Sequence, residues 1–181
     1  MNVKNFLFGL LLVPALAIGF NSCKDKDKED KDYAAEIAGS YKGDVTGKVE
    51  FTGAEIEKVE DVIITVTRDA ENHVLLAAKL TVTVGGQGIP FDINSSSKVS
   101  TDGKSSINGE AKIDLPAAAL APLVPEAFLP SLEALLGKPD ANGIYKDVPV
   151  SITGSFASNK ANLTISMLAS QVNLNYTGTK Q

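Results

Sequence analysis

Strict alternation of apolar and polar residues is the feature that most constrains this chain. Between residues 39 and 178, apolar side chains repeatedly take every second position, and Ser, Thr, Asn, Lys and Glu fill most positions between them. A period of two is the period of a β-strand, in which successive side chains point to opposite faces. Runs such as Val62, Ile64 and Val66 therefore predict strands that bury one face in a core and expose the other.

About eight such runs follow one another, separated by short turn sequences such as Asp69-Ala70-Glu71-Asn72 and Thr101-Asp102-Gly103-Lys104. Short alternating strands joined by tight turns favour a meander, and closing the meander removes its exposed edges. The pattern predicts an all-β fold, an antiparallel up-and-down barrel of about eight strands. A sandwich of two sheets is the alternative.

Glycines interrupt the apolar faces of several of these strands, at Gly43, Gly47, Gly109 and Gly154. A glycine in a strand has no side chain to pack and often marks a bulge or a tight bend. We therefore expect these four positions to be bends or bulges that help the sheet to close.

Residues 116–142 break the alternation and are rich in Ala, Leu, Val, Phe and Pro. Proline is tolerated in the first turn of a helix, and glycine commonly follows the last turn. The segment therefore predicts two short helices, one from Pro116 to near Ala121 and one from Pro130 to Gly137. Together they form a helical insertion between strands 5 and 6.

So apolar an insertion must cover something, meet a partner or touch lipid. The connections of an up-and-down barrel alternate between its ends, which puts this one at the end opposite the start of the first strand. Two interpretations stay open: a lid over a cavity for an apolar ligand, or a plug that completes a filled barrel. The candidate residues for either role are Leu120, Leu123, Val124, Phe128, Leu129, Leu132 and Leu136.

The first 22 residues have the features of a secretory signal peptide. Lys4 precedes an apolar run over residues 6–20, too short for a membrane-spanning helix of ~20 residues. The sequence Phe20-Asn21-Ser22-Cys23 follows, and it resembles a bacterial lipobox. The resemblance implies a lipoprotein signal peptide over residues 1–22 and a lipidated Cys23 at the start of the mature chain.

Residues 24–32 are all charged, so they have no apolar surface to bury. We expect residues 23–37 to form a lipidated cysteine and a flexible tether ahead of a barrel domain over residues 38–181. Such a charged segment resembles the surface-export signals of Bacteroidetes lipoproteins, although it is also what a solvated spacer needs. The resemblance implies an outer-membrane protein anchored by lipid at the cell surface, with the periplasmic face as the alternative.

Composition excludes some partners. The formal net charge is −5 and no basic patch is apparent, so nucleic acid is not an expected partner. One cysteine cannot form an internal disulfide, so burial and backbone pairing must stabilise the domain. We expect a monomer that contacts the membrane through its anchor.

Residues with catalytic or metal-binding chemistry are scarce. His73 is the single histidine and lies beside a predicted turn, and one histidine cannot form a metal cluster. The sequence Asp140-Ala141-Asn142-Gly143 lacks the full calcium-loop pattern and is expected to be a turn. We therefore predict no catalytic residue, no metal site and no cofactor.

The opening Gly39-Ser40-Tyr41-Lys42-Gly43, with the eight-strand rhythm behind a lipobox, resembles the calycin-like β-barrel lipoproteins of Bacteroidetes. The resemblance implies a lipocalin-like shape. Lipocalins have Trp where this chain has Tyr41, and a late Arg that packs on it, whereas Arg68 lies in the second predicted strand. That departure weakens any direct transfer of lipocalin ligand chemistry to this chain.

Two hypotheses of function follow. The first is a membrane-anchored, non-enzymatic lipoprotein that binds a small hydrophobic ligand under an apolar lid. The second is a filled barrel that acts as a surface module for interaction with proteins or glycans.

Overall fold

The computed structural model describes residues 31–100, 105–120 and 123–181. Within them, Asp32–Gln181 belong to a compact unit. The predicted signal peptide, the predicted lipidation site Cys23, residues 24–30 of the predicted tether and the turn at 101–104 lie outside the described residues.

The domain is a closed barrel of eight antiparallel strands in sequential order. β1 pairs with β8 as well as with β2, from Tyr41 opposite Lys180 to Val49 opposite Val172. The predicted up-and-down barrel is therefore confirmed, and the sandwich alternative is wrong because the sheet closes on itself. The strands are β1 Gly39–Val49, β2 Ala54–Ala70, β3 His73–Val84, β4 Gln87–Val99, β5 Ser106–Pro116, β6 Ile144–Ala157, β7 Lys160–Met167 and β8 Val172–Lys180.

The alternation in the sequence becomes the two faces of the barrel wall. In β3, Val74, Leu76 and Ala78 are buried, and Leu75 and Ala77 between them are exposed. The other strands follow the same rule, so the core lies inside the barrel. Because one face is buried, slipping any strand by one residue would turn its apolar side chains towards water.

The glycines of the apolar faces serve two different purposes. The β1–β2 register shifts between Gly43 and Val45 and again between Val45 and Gly47, so the predicted bulges occur there. At Gly109 the ladders are regular. A Cβ at Gly109 would lie 1.9 Å from Oγ of Ser97, so this glycine makes room for a neighbouring side chain instead.

A short helix, α1 (Tyr33–Ile37), packs on the barrel just before β1. Ala34 is 0% exposed and Ile37 is 3% exposed, so the helix contributes to the core. The compact unit thus starts at Asp32, upstream of the predicted start of the barrel domain at residue 38. We call the end of the barrel that carries α1 and the β2–β3 turn the tether end, since Tyr33 N–H donates to Oδ1 of Asn72 there.

The insertion lies at the opposite end, which we call the insertion end. It contains α2 (Ala117–Leu120), a 3₁₀ turn (Glu126–Phe128) and α3 (Leu129–Leu136). Pro130 is in the first turn of α3 and Gly137 ends the helix with φ 79°, as the sequence predicts. The Phe51 and Phe128 rings lie 5.2 Å apart, which ties the insertion to the β1–β2 turn.

The wall is incomplete at one place, between β4 and β5. These strands pair only from Ser95 opposite Ala111 to Val99 opposite Ile107. Towards the insertion end, β4 continues over residues 87–94 and β5 over residues 112–116 with no pairing between the two strands. We call this gap the seam. α2 follows β5 directly and packs against both strands at this gap.

The sequence explains why pairing stops. Extending the register would set Asp92 opposite Asp114 and Pro90 opposite Pro116. Like charges directly opposite each other destabilise a strand pair. Two facing prolines have no N–H to donate to the ladder.

The two aspartates form ion pairs away from the seam. Lys79 Nζ on β3 lies 2.8 Å from Asp92, and Lys146 on β6 pairs with Asp114. These lysines lower the pKa of both carboxyl groups, which keeps both negative charges in place.

Candidate interaction surface

The seven predicted lid or plug residues do not share one environment. Leu120, Leu123, Val124 and Leu132 are between 1% and 4% exposed. Leu136 is half-buried and packs against the core. Phe128 and Leu129 keep 46% and 36% of their surface exposed, so they lie on the outside of the insertion.

The barrel interior is filled with side chains. The buried apolar residues, including the inward positions of all eight strands, are between 0% and 8% exposed. A side chain that lines a hollow large enough for a ligand keeps accessible surface facing that hollow. These side chains have almost none, so they pack against one another as in an ordinary protein core.

Two tyrosines reach into this core. The Tyr41 hydroxyl donates to the Ile37 carbonyl oxygen at 2.8 Å, which ties β1 to α1. The Tyr176 hydroxyl is buried and has no hydrogen-bond partner among the described residues. Burial, with smaller contributions from Tyr41 and Asp44, raises the pKa of Tyr176 to about 12.

Two buried serines also lie inside the barrel. Ser95 and Ser97 are 3% and 1% exposed, and their hydroxyl oxygens lie 3.1 Å apart. Ser95 also donates to the Glu110 carbonyl oxygen at 2.9 Å. These hydrogen bonds satisfy the pair within the wall, where Gly109 leaves space for it.

The outer surface of β6, β7 and β8 has a uniform chemistry over residues 151–155, 162–166 and 173–177. Nine outward positions of these strands carry only hydroxyl and carboxamide side chains, and all nine are exposed or half-buried. We call this set the neutral face. Its residues are Ser151, Thr153, Ser155, Asn162, Thr164, Ser166, Asn173, Asn175 and Thr177.

The strand register arranges the neutral face in rows across the sheet. The central row runs through Thr153, Thr164 and Asn175. It continues to Asn108 on β5 and Thr46 on β1, so five neighbouring strands contribute to one uncharged row. The sequence contains this signal as Ser, Thr and Asn at every second position of the last three strands, but only the register reveals the rows.

Hydrogen bonds fix part of the neutral face. Thr164 Oγ1 donates to Asn175 Oδ1 at 3.2 Å, and Ser166 Oγ donates to Asn173 Oδ1 at 2.7 Å. Asn173 Nδ2 donates in turn to the Ser170 carbonyl oxygen at 3.0 Å. These contacts hold the side chains across the strands before any partner arrives.

Charged residues occupy other parts of the outer wall. Lys42 Nζ lies 2.8 Å from Asp61, and Lys58 Nζ lies 2.8 Å from Asp44. In the register, Asp44 lies opposite Thr177, so this charge borders the neutral face. Two further ion pairs, Lys112–Asp147 and Lys146–Asp114, join β5 to β6 near the insertion end. The neutral face is therefore an uncharged area within an outer wall that carries ion pairs elsewhere.

An open groove of about 640 Å³ adjoins the neutral face at the insertion end. Ser151 and Ser166 belong both to the face and to the groove. Asn94, Glu110, Lys112, Pro149 and Ser170 are among its other lining residues. The groove thus extends the neutral face into a concave site, whose lining also includes two charged residues and the apolar residues Val150 and Met167.

The residues considered for catalytic or metal-binding chemistry do not come together in one site among the described residues. His73 is exposed, and its Nδ1 contacts the Glu71 carbonyl oxygen at 3.0 Å beside the β2–β3 turn. Asp140 accepts from the N–H groups of Asn142 and Ile144 at 2.8 and 3.0 Å, which makes residues 140–143 a turn. Among the described residues, no group of three or more His, Cys, Asp or Glu side chains could hold a metal ion.

Within the described ranges, no helix combines the length and the apolar character needed to span a membrane.

Comparisons with known proteins give one solved structure. No protein-family model and no curated protein matches the chain. The crystal structure of a Bacteroides fragilis protein described as a "putative outer membrane protein" matches with 14% sequence identity and a TM-score of 0.47. The match covers 83% of this chain and 53% of that protein, so the chain spans about half of its length.

Proposed function

We propose that this chain is a lipid-anchored, non-enzymatic barrel of the calycin-like kind that acts through its outer surface as an interaction module. One observation carries the proposal: the inward side chains are almost completely buried, and Leu120, Leu123 and Leu132 of the insertion join them. A barrel that is filled in this way has its outer wall and its loops left to meet a partner.

The resemblance of Phe20-Asn21-Ser22-Cys23 to a lipobox supports the anchor, and the charged residues that follow support a tether. α1 and the start of β1 are the part of the barrel nearest to that segment along the chain. In this proposal the barrel is held at the outer membrane by its tether end, and the insertion end points away from the lipid.

Binding of a hydrophobic ligand inside the barrel would need an internal cavity. We expect the purified protein to contain no non-covalently bound lipid by mass spectrometry, and to give no saturable uptake of a fluorescent apolar probe. The Phe91→Ala variant is the control, because it removes a large side chain that is 3% exposed and leaves an apolar cavity. That variant should take up a benzene-sized probe, whereas stoichiometric non-covalent lipid in the unmodified protein would contradict the filled interior.

A further inference from the structure

We propose that the neutral face and its adjoining groove bind uncharged polysaccharide chains. This inference rests on the proposed function, because it names the partner of the outer surface. It starts from the distribution of charge: the nine outward positions of the neutral face carry only hydroxyl and carboxamide groups. Ion pairs lie elsewhere on the outer wall, on β1–β4 and between β5 and β6 near the insertion end.

The chemistry of the face matches a polyol. A Ser or Thr hydroxyl is both a donor and an acceptor, and an Asn side chain offers both on adjacent atoms. Sugar hydroxyls are likewise donors and acceptors, so each can replace a water molecule on this surface without leaving a polar group unpaired. A surface with this inventory forms many neutral hydrogen bonds, each of modest strength.

Charged partners fit the same surface poorly. A phosphate, carboxylate or ammonium group would have to shed water over the central row, where Thr153, Thr164 and Asn175 offer no opposite charge. Burial of an unpaired charge is costly, whereas a hydrogen-bonded neutral group is tolerated. The absence of charge across the nine positions therefore selects for an uncharged ligand.

The geometry favours a chain over a single sugar. The central row spans five strands, or roughly 19 Å at a strand spacing of about 4.8 Å. Short side chains lose little rotamer entropy, and the Thr164–Asn175 and Ser166–Asn173 hydrogen bonds already fix four of them. None of the nine residues is aromatic, so each sugar binds weakly and affinity must build up along the polymer.

The groove gives the polymer a place to enter the surface. Ser151 and Ser166 are shared by the face and the groove, and Asn94 and Ser170 continue the same chemistry into the concave part. A chain lying in the groove would contact the neutral face at its edge, and it would also pass Glu110 and Lys112 in the groove lining.

Affinity electrophoresis of the full-length protein, extracted in an uncharged detergent, tests the proposal. Gels would contain dextran, galactomannan or xyloglucan as neutral polysaccharides, and polygalacturonate as an anionic one. We expect retardation by at least one neutral polysaccharide, and the retardation should persist when salt is raised because it does not depend on charge.

Two matched double variants locate the site. Thr153→Arg with Asn175→Arg puts bulky cations in the central row, and should weaken the apparent affinity about tenfold by blocking the row and removing two hydrogen-bond acceptors. Thr65→Arg with Thr81→Arg adds the same side chains at exposed positions of β2 and β3, and should leave retardation unchanged. Thermal unfolding followed by circular dichroism checks that both variants stay folded.

If mobility in all three neutral gels equals that in a gel without polysaccharide, the proposal is overturned. Retardation by polygalacturonate alone would also overturn it. Equal loss of retardation in both double variants would also overturn it, because binding would then not depend on the neutral face. Failure of the filled barrel would appear separately, as non-covalently bound lipid or probe uptake, and would not alter mobility in these gels.

Discussion

At the scale of single residues, Tyr41 and Tyr176 are two tyrosines inside the barrel that differ in the hydrogen bonding of their hydroxyl groups. Both rings are buried, but among the residues that the structure describes only the Tyr41 hydroxyl finds a hydrogen-bond partner, the Ile37 carbonyl oxygen. Removing a paired buried hydroxyl also leaves its acceptor unsatisfied, whereas removing an unpaired one relieves a desolvation cost.

We therefore predict that Tyr41→Phe lowers the free energy of unfolding by about 1 kcal/mol. Tyr176→Phe should leave that free energy unchanged or raise it. Urea unfolding of the two variants beside the unmodified protein measures both. A loss at Tyr176→Phe as large as that at Tyr41→Phe would mean that the Tyr176 hydroxyl has a partner.

Asp32, the last charged residue before α1, is attached to the barrel by its side chain. Its carboxylate accepts from the Arg68 guanidinium and from the N–H groups of Ala34 and Asn72. The hydrogen bond from Arg68 is the largest cause of its lowered pKa, followed by that from Asn72. The residue was expected in the flexible tether, and these contacts instead attach it to the compact unit.

The lowered pKa predicts a pH dependence. A carboxyl group with a depressed folded-state pKa stabilises the fold above its unfolded-state pKa of about 3.9, and this stabilisation is lost as pH falls through the folded-state value. Asp32→Asn should therefore lower the thermal unfolding temperature near neutral pH. Its deficit should shrink in acid, below both pKa values. A deficit that stays constant into acid would exclude this charge effect.

At the scale of secondary-structure elements, the seam predicts a pattern of hydrogen exchange along β4. Val99 N–H donates to the Asn72 carbonyl oxygen on the β3 side, and Ser100 N–H donates to the Ser106 carbonyl oxygen on the β5 side. Successive backbone groups of a strand point to opposite sides. The even-numbered residues of β4 therefore face the seam, and the odd-numbered ones face β3.

We expect the amides of Asp92 and Asn94 to exchange faster than those of Phe91 and Ile93, as measured residue by residue by NMR. Combining Pro90→Val, Asp114→Thr and Pro116→Val removes the opposing prolines and the like charges, and should slow exchange at Asp92. Pro149→Val is the control, since Pro149 lies within the β5–β6 ladder. Uniform protection along β4 in the unmodified protein would contradict the seam.

Two leucines of α3 test the insertion as a plug. Leu132 is 4% exposed and Leu135 is 58% exposed on the same helix. Leu132→Ala should lower the free energy of unfolding by about 2–5 kcal/mol because it leaves a cavity in the core. Leu135→Ala should change it by less than about 0.5 kcal/mol. Urea unfolding gives both values, and similar small effects would indicate an insertion that does not complete the core.

The sequence predicted these elements well where one physical rule dominated. The period of two gave the strands, and Pro130 and Gly137 gave the bounds of α3. It did not predict the seam, because only the register between β4 and β5 shows that Asp92 would lie opposite Asp114. It also missed the buried pair Ser95 and Ser97, whose place inside depends on the space left by Gly109.

The candidate surface was less visible for a similar reason. Seven apolar insertion residues were grouped by composition, and the structure separates them by burial, with Leu123 inside and Phe128 outside. The neutral face was present in the sequence only as the polar half of the alternation. Its rows became apparent when the register aligned Thr153, Thr164 and Asn175.

At the scale of the whole molecule, the anchor is a prediction from Cys23. We expect Cys23→Ala to move the protein from the membrane fraction to the soluble fraction, because no lipid could then be attached at that position. Cell fractionation followed by immunoblotting measures the shift. Ser22→Ala keeps a small residue before Cys23 and should leave the protein in the membrane fraction. Unchanged membrane association of Cys23→Ala would remove the anchor from the proposed function.

The closure of β1 on β8 brings the two ends of the domain together, with the Gln181 N–H donating to the Ser40 carbonyl oxygen at 2.9 Å. The domain is thus a ring of strands that the chain enters and leaves at one spot. A reporter fused after Gln181 would emerge beside α1, on the side of the barrel where the preceding chain arrives. One inserted at Gly85 and Gly86, in the turn between β3 and β4, would be displayed at the far rim.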